Sequence, residues 1–136
     1  MAELITKHIT KQFDNRTIIK DISIELHDQE IVSLLGVSGS GKTTLFLIIS
    51  GLLKPEEGQV LLNGTDITGQ AGMISYMLQK DLLLPYRTIE DNVILPLIIK
   101  GTKKKAARKM VRPYFEEFGL SGTEKKYPSQ LSGGMR

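Results

Sequence analysis

Cysteine is absent from this chain of 136 residues. Without it, the sequence cannot build a disulfide framework, a thiolate zinc site or a cysteine nucleophile. Long apolar runs are also absent: the run from Val93 to Ile99 is interrupted by Pro96, and a membrane-spanning helix needs roughly 20 apolar residues. The N-terminus, MAELITKH, lacks the apolar core of a signal peptide. We therefore expect a cytoplasmic protein that reaches a membrane only through a partner.

Neither sign of charge dominates. Lysine and arginine number 18 and aspartate and glutamate 15, for a formal net charge of +3. This balance is not that of a dedicated nucleic-acid-binding protein, and we expect no nucleic-acid partner. The 13 glycines and 5 prolines are too few for a low-complexity chain. The composition predicts one ordinary globular domain.

The apolar patterning predicts a sheet in the first part of the chain. Residues 4–9 and 17–26 are predicted as antiparallel strands joined by the turn Asp14-Asn15-Arg16. Residues 31–35 are almost continuously apolar, which is typical of a strand buried on both faces of a parallel sheet. A strand is predicted at 59–62, followed by the hairpin signal Asn63-Gly64. Residues 73–78 are a further strand candidate.

Helix signals become frequent further along the chain. A helix is predicted over residues 42–50, ended by Gly51 and Pro55. Thr88 is predicted to cap a second helix, with Asp91 completing an approximate capping box. A third helix is predicted over 104–118. The sequence therefore predicts two parts, residues 1–79 with the sheet and one helix, and residues 80–136 with mainly helices.

The most informative motif is GVSGSGKTT at residues 36–44. It matches G-x-x-x-x-G-K-[ST], with Gly36, Gly41, Lys42 and Thr43 at the fixed positions. Glycines let the backbone approach a phosphate chain without Cβ clashes, and successive N–H groups form an anion-binding nest. The helix that follows directs its positive N-terminal end to the same place. The motif predicts nucleotide binding, with Lys42 at the β- and γ-phosphates and Thr43 as a Mg²⁺ ligand.

Three further features narrow the class of phosphate-loop protein. The string LSGG at residues 131–134 resembles the signature motif of ATP-binding-cassette (ABC) ATPases, Gln79 resembles their Q-loop residue, and Phe13 lies where the family places an adenine-stacking aromatic. The resemblance implies an α/β P-loop NTPase core, a mixed sheet with an antiparallel β-subdomain, plus a helical subdomain. Residues 1–79 would be the N-terminal part of the ATP-binding core, and residues 80–136 the Q-loop region and the helical subdomain, truncated after the signature motif.

The resemblance also implies roles for individual residues. Phe13 would stack on adenine, and Gln79 would contact Mg²⁺ or the attacking water. The catalytic residues implied are Gln79 and the phosphate-binding Lys42. Metal contacts are implied for Thr43 and Gln79. Nucleotide contacts are implied for Phe13 and for two groups, the loop residues Gly36, Ser38, Gly39, Ser40, Gly41, Lys42, Thr43 and Thr44, and the signature residues Ser132, Gly133 and Gly134. The signature residues would bind the γ-phosphate held by a second copy.

Two segments within residues 80–136 resemble one group of importers. DLLLPYRTIEDNV and YPSQLSGGMR are similar to the ATPase subunits of nitrate, sulfonate and taurine importers. The resemblance implies ATP and Mg²⁺ as cofactors, and as partners a transmembrane permease subunit, a second copy and a solute-binding protein. The ATPase would then sit peripherally on the inner face of the cell membrane. Residues between Gln79 and Asp91 would receive the permease, and Leu82, Leu83, Leu84 and Tyr86 are either exposed there or part of a core.

The basic residues of the last predicted helix, Lys103, Lys104, Lys105, Arg108, Lys109 and Arg112, are interpreted as a solvated face. Contact with anionic lipid is the alternative. The family pattern continues with an apolar strand ending in Asp-Glu and a later histidine, which this sequence does not contain. We therefore expect an N-terminal piece of a longer ATPase that hydrolyses ATP very slowly alone. The competing hypotheses are another phosphate-loop enzyme such as a small kinase, a non-catalytic nucleotide-binding module, and a non-transport ABC ATPase.

Overall fold

The computed structural model of the chain describes residues 3–78 and 80–136. It divides into two compact units, Met1–Met77 and Leu78–Arg136. The described strands and one helix belong to the first unit, and the other helices belong to the second. Each unit has its own hydrophobic core.

The first unit is built on a four-stranded antiparallel sheet. Its strands are β1 (Glu3–Phe13), β2 (Arg16–His27), β3 (Glu57–Leu62) and β4 (Thr65–Asp66), in the order β2-β1-β3-β4. The predicted hairpins at Asp14-Asn15 and Asn63-Gly64 are both confirmed. All four of these turn residues have positive φ angles, as the tight turns that suit the right-handed twist of a hairpin require.

One helix packs on this sheet. Helix α1 (Lys42–Ile49) buries Leu45 and Ile48, and it ends where the sequence predicts, just before Gly51. Because Leu45 and Ile48 lie on one helical face, α1 presents an apolar stripe to the strands. The fully packed core of the unit comprises Ile9, Ile19, Leu45, Ile48, Val60 and Ile67.

Two predicted strands are not formed. Residues 31–35 and 73–78 have no strand structure, and Ile31 is 95% and Leu35 89% exposed. A strand needs a neighbour to accept and donate its backbone hydrogen bonds, and none of the described strands pairs with either segment. Leu34 and Ile74 nevertheless pack against the core. The prediction of strands at 31–35 and 73–78 is therefore wrong for this structure, and the described sheet contains only the antiparallel part.

The second unit is helical. Its helices are α2 (Ile89–Val93), α3 (Leu95–Ile99) and α4 (Lys104–Glu117), followed by 3-10 turns at Pro128–Gln130 and Gly133–Met135. The prediction for α4 is confirmed: Gly119 follows its end, and the Leu120 N–H donates to the Phe115 carbonyl. The core of the unit comprises Ile89, Ile94, Ala107, Val111, Phe115 and Leu131.

The predicted cap of α2 is confirmed in one of its two halves. The Thr88 hydroxyl accepts a hydrogen bond from the Asp91 N–H at 3.2 Å. The Asp91 carboxylate points elsewhere, to Lys104 at 3.1 Å and Arg108 at 3.0 Å on α4. Asp91 therefore joins two helices, a role that the box pattern does not predict.

Candidate functional site

The glycine-rich loop leads directly into the N-terminus of α1. Gly41 precedes the helix with a φ of 90°, no side chain caps the helix, and no acidic residue lies in its first turn. The Leu45 N–H already bonds to the Gly41 carbonyl at 2.9 Å, whereas the N–H groups of the first turn have no acceptor within the helix. The helix therefore presents backbone donors and the positive end of its dipole to the loop, an arrangement suited to an anion.

Close packing against β2 holds the start of this helix. A Cβ atom added at Gly41 would lie 3.0 Å from Ile19 Cγ1 and 3.1 Å from the Ile18 carbonyl oxygen. Both distances are shorter than ordinary van der Waals contacts, so only glycine fits without a shift of its neighbours. The start of α1 is therefore positioned by the hairpin as well as by the loop.

Lys42 spans the loop. Its Nζ donates to the carbonyl oxygens of Gly36 and Val37, each at 2.7 Å, and to Ser40 Oγ at 3.3 Å. The Ser40 N–H in turn donates to the Val37 carbonyl at 3.2 Å. The structure thus brings Gly36, Ser40 and Lys42 together around one ammonium group, next to the free donors of α1.

The other loop residues are open to solvent. Ser38, Gly39 and Thr43 are exposed, and Thr44 is half-buried at the end of the first helical turn. Their hydroxyl and backbone groups can reach a ligand without any rearrangement of a core. Exposure of this kind is expected of a site that takes its ligand from solvent.

Phe13 is the last residue of β1, and its side chain is 45% exposed. It pairs with Arg16 across the hairpin turn, and Gln12 pairs with Thr17. Ile18, which packs next to Gly41, follows Thr17 directly on β2. Phe13 therefore lies at the same end of the β1–β2 hairpin as the residues that pack against the loop.

The remaining predicted site residues lie either outside the described residues or in the second unit. Gln79 lies outside the described residues. Ser132 precedes the 3-10 turn Gly133–Met135, and all three signature residues, Ser132, Gly133 and Gly134, are exposed in the second unit. Their backbone lies next to the buried Leu131, which anchors this segment in the core of that unit.

A family model described as ABC transporter matches residues 19–136, which is most of the chain. This chain belongs to the ABC transporter family. An uncharacterized ABC transporter ATP-binding protein of Bacillus subtilis is 41% identical over 140 residues, covering 100% of this chain and 54% of that protein. The formylaminopyrimidine import ATP-binding protein of Halalkalibacterium halodurans is 46% identical over 119 residues, covering 88% of this chain and 45% of that protein. The chain thus spans about half the length of the curated relatives it matches.

Solved structures of ATP-binding cassettes share the fold. A dimeric cassette in a post-hydrolysis state, bound to ADP and phosphate, superposes with a TM-score of 0.79 and 29% identity, covering 97% of this chain and 64% of that one. A nucleotide-free cassette gives a TM-score of 0.82 and 25% identity, covering 98% of this chain and 60% of that one. The described sheet and helices are therefore part of a P-loop NTPase fold of the ABC type. Within the part of the chain that the structure describes, no helix is long and apolar enough to cross a membrane.

The sequence left open whether the four apolar residues before α2 are exposed or part of a core, and the structure shows that they differ. Leu82 and Tyr86 are 73% and 74% exposed. Leu83 packs against the core of the second unit, and Leu84 is half-buried. Neither interpretation, all exposed or all core, holds for the whole segment.

Asn92 organises this segment and was missed at the sequence level. Its Oδ1 accepts from the Leu84 N–H at 2.7 Å, and its Nδ2 donates to the carbonyl oxygens of Leu84, Arg87 and Thr88 at 3.1, 3.2 and 3.0 Å. Asparagine side chains often hydrogen-bond to backbone groups within about four residues, which could have indicated the bond to Thr88. The bonds to Leu84 span eight residues, and no signal in the sequence predicts them.

The basic face of α4 is only partly free. Arg108 pairs with Glu90 at 2.9 Å and with Asp91, and Lys104 also pairs with Asp91. The hydrogen bond from Lys104, helped by Arg108, holds the pKa of the Asp91 carboxyl below its ordinary value. Lys103, Lys105, Lys109 and Arg112 are exposed, in agreement with a solvated face. Two of the six basic residues thus fasten α4 to α2.

Proposed function

We propose that the chain is part of the ATP-binding, energy-coupling subunit of an ABC importer for a small solute. The observation that carries the proposal is the glycine-rich loop, in which Lys42 and the uncapped N-terminus of α1 converge on one exposed place. Membership of the ABC transporter family and the importer names of relatives support it. The resemblance of DLLLPYRTIEDNV to nitrate, sulfonate and taurine importers remains a prediction about the solute.

The donor set of the loop fits the phosphates of MgATP. The N–H groups of Ser38 to Thr44 and the Lys42 ammonium are donors only, which matches the acceptor-only oxygens of a triphosphate. Lys42 would exchange its carbonyl partners for the β- and γ-phosphates, and Thr44 would contact the α-phosphate. Mg²⁺, which prefers oxygen ligands and neutralises phosphate charge, would be held by the Thr43 hydroxyl and Gln79. Phe13 would stack on the adenine ring.

A second copy would complete the site. Ser132 would give a hydroxyl donor, and Gly133 and Gly134 would let the backbone approach the γ-phosphate held by the partner copy. Gln79 would orient water and report occupancy to the membrane. Binding of ATP would close the dimer, hydrolysis in the whole protein would reset it, and this chain alone would hydrolyse ATP slowly.

A transmembrane permease would dock against the segment before α2, and a solute-binding protein would complete the transport system. The exposed Leu82 and Tyr86 offer apolar contact area there, while Asn92 keeps the segment in one conformation. Apolar and aromatic side chains on a rigid frame are what protein interfaces favour. The subunit would therefore sit peripherally on the inner face of the cell membrane.

Nucleotide binding is tested with a pair of lysine variants. Lys42→Ala removes the loop ammonium and should weaken ATP binding at least about tenfold, because a charge-assisted hydrogen bond to phosphate contributes about 1.5–3 kcal/mol. Lys54→Ala removes an exposed lysine beyond the other end of α1 and should leave the affinity unchanged. Isothermal titration calorimetry with MgATP measures both. Equal affinities in the two variants would contradict a phosphate-binding role for the loop.

The dimer is tested at the signature motif. Ser132→Ala should leave ATP binding by one chain intact and should abolish any ATP-dependent self-association, measured by analytical ultracentrifugation. A small kinase would have no use for this serine. ATP binding without self-association in the unsubstituted chain would argue against the dimer and favour a binding module.

A further inference from the structure

Lys11 is a buried cation within a strand of the first unit. Only 8% of the residue is exposed. Its Nζ lies 2.7 Å from Glu56 Oε1 and 5.1 Å from the centroid of the Phe13 ring. An ammonium group within about 6 Å of a ring centroid is attracted by the negative face of the ring. One buried cation therefore contacts both a carboxylate and the aromatic ring at the end of β1.

Glu56 bonds to three successive residues of β1. Its N–H donates to the Thr10 carbonyl at 3.0 Å, its Oε1 accepts from Lys11, and its Oε2 accepts from the Gln12 N–H at 2.8 Å. The next residue is Phe13. The β1–β2 register shifts between Lys11 and Gln12, so the ladder is irregular at this point. Glu56 thus adds hydrogen bonds to the strand end at the point where the register of the β1–β2 pairing shifts.

Hydrogen bonds stabilise the ionised form of the Glu56 carboxylate. The hydrogen bond from Lys11, together with the Gln12 N–H, lowers the pKa of Glu56 below its ordinary value of 4.5. Its side chain is 44% exposed whereas that of Lys11 is 10% exposed. The buried partner therefore depends on the exposed one for neutralisation, since a buried unpaired charge is costly.

The position of the Phe13 ring follows from this pair. The ring is 45% exposed, so burial in a core does not fix it. Lys11 is the cation that holds it, and Glu56 holds Lys11. A chain of contacts thus runs from Glu56, just before β3, through Lys11 to the exposed aromatic ring at the end of β1.

We infer that Lys11 and Glu56 are positioning residues for the Phe13 ring, and that through it they set the affinity for the base of the nucleotide. The inference rests on the proposed function, in which Phe13 stacks on an aromatic base. Neither residue touches the phosphates in this arrangement. Their contribution should therefore depend on whether the ligand has a base.

The test compares two ligands of the same loop. ATP carries a base, and inorganic tripolyphosphate does not. Lys11→Met keeps the unbranched apolar stem, one atom shorter, and removes the charge. Glu56→Gln keeps an acceptor for the Gln12 N–H and cannot accept as strongly from Lys11. ATP affinity should fall at least about two- to fivefold in Lys11→Met, the lower end of the range for a cation–π contact, and in the same direction in Glu56→Gln. Tripolyphosphate affinity should stay unchanged in both.

A second variant separates positioning from general damage to the fold. In a Phe13→Leu background the base-specific effect of Lys11→Met should vanish, because the ring it orients is gone. Equal weakening of ATP and tripolyphosphate would make the pair purely structural and overturn the inference. Unchanged affinities for both ligands in Lys11→Met would overturn it as well and leave the proposed function standing. Failure of the unsubstituted chain to bind either ligand would overturn the proposed function, and the inference with it.

Discussion

Both the packing of the first unit and the start of the candidate site depend on the absence of a side chain at Gly41. Its replacement by alanine would add a Cβ that meets Ile19 Cγ1 at 3.0 Å, the Ile18 carbonyl oxygen at 3.1 Å and Ile18 Cγ2 at 3.2 Å. Its backbone also has a φ of 90°, which L side chains disfavour. Gly41→Ala should therefore destabilise the first unit and displace the start of α1.

The two costs can be separated with a second glycine. Gly72 also has a φ of 90°, and a Cβ added there would meet nothing within 4 Å. Gly72→Ala should cost about 1–2 kcal/mol for the left-handed backbone, reduced by about 0.4–1 kcal/mol because alanine restricts the unfolded chain. Gly41→Ala carries the same terms plus overpacking of about 1–3 kcal/mol. The difference between the two variants is therefore the packing cost alone.

Native-state hydrogen exchange followed by NMR measures this difference within the first unit. The amides of the core strands should exchange at least about fivefold faster in Gly41→Ala than in Gly72→Ala, since 1.4 kcal/mol corresponds to a factor of ten. Binding of tripolyphosphate should weaken in Gly41→Ala only. Equal exchange rates in the two variants would refute the argument that the hairpin positions α1 through this contact.

Four other predictions concern the turn before α2, the acidic pH range, and one buried and one exposed isoleucine of the first unit. Asn92→Ala should speed amide exchange in the turn before α2 by the equivalent of about 1–3 kcal/mol, because a part-buried N–H loses its acceptor; Asn92→Asp, which keeps an acceptor, should retain part of that protection. Because Lys104 lowers the pKa of Asp91, the folded second unit binds fewer protons than the unfolded chain, so its stability should fall as the pH falls through the pKa of folded Asp91. An acid titration followed by circular dichroism should show that fall, and Lys104→Met should reduce it; identical titrations would contradict the pairing. Ile48→Ala should cost about 2–5 kcal/mol in urea unfolding, since the residue is fully buried. Ile31→Ala should change stability by less than about 0.5 kcal/mol, since the residue is 95% exposed, and a large loss there would indicate that residues 31–35 are packed after all.

The elements that sequence reasoning predicted correctly are those that local interactions specify. The turns at Asp14-Asn15 and Asn63-Gly64 form because residues that tolerate positive φ stand between apolar segments. Helix α4 has an apolar stripe at helical spacing and a glycine after its end. The start of α1 after Gly41 follows from the spacing of the glycine-rich loop. In each case the residues that specify the turn or helix lie within about ten positions of one another.

The incorrect predictions concern residues whose structure depends on distant partners. The apolar run at 31–35 has the composition of a buried strand, but a strand forms only where another strand supplies hydrogen bonds, and none of the described strands does. Leu82 and Leu83 are adjacent and chemically identical, yet one is exposed and the other packs against the second core. Composition cannot separate them, because the direction of each side chain depends on the backbone path that Asn92 stabilises.

The sequence by itself determined the phosphate-loop motif, the signature string and the family to which the chain belongs, because fixed spacing and residue type are sufficient for these. Only the tertiary structure decided that Gly41 packs against Ile18 and Ile19 and that Glu56 holds the end of β1. The physical reason is the separation along the chain between the residues that interact. A motif is a property of neighbouring residues, whereas these contacts depend on the fold to bring distant atoms within about 3 Å.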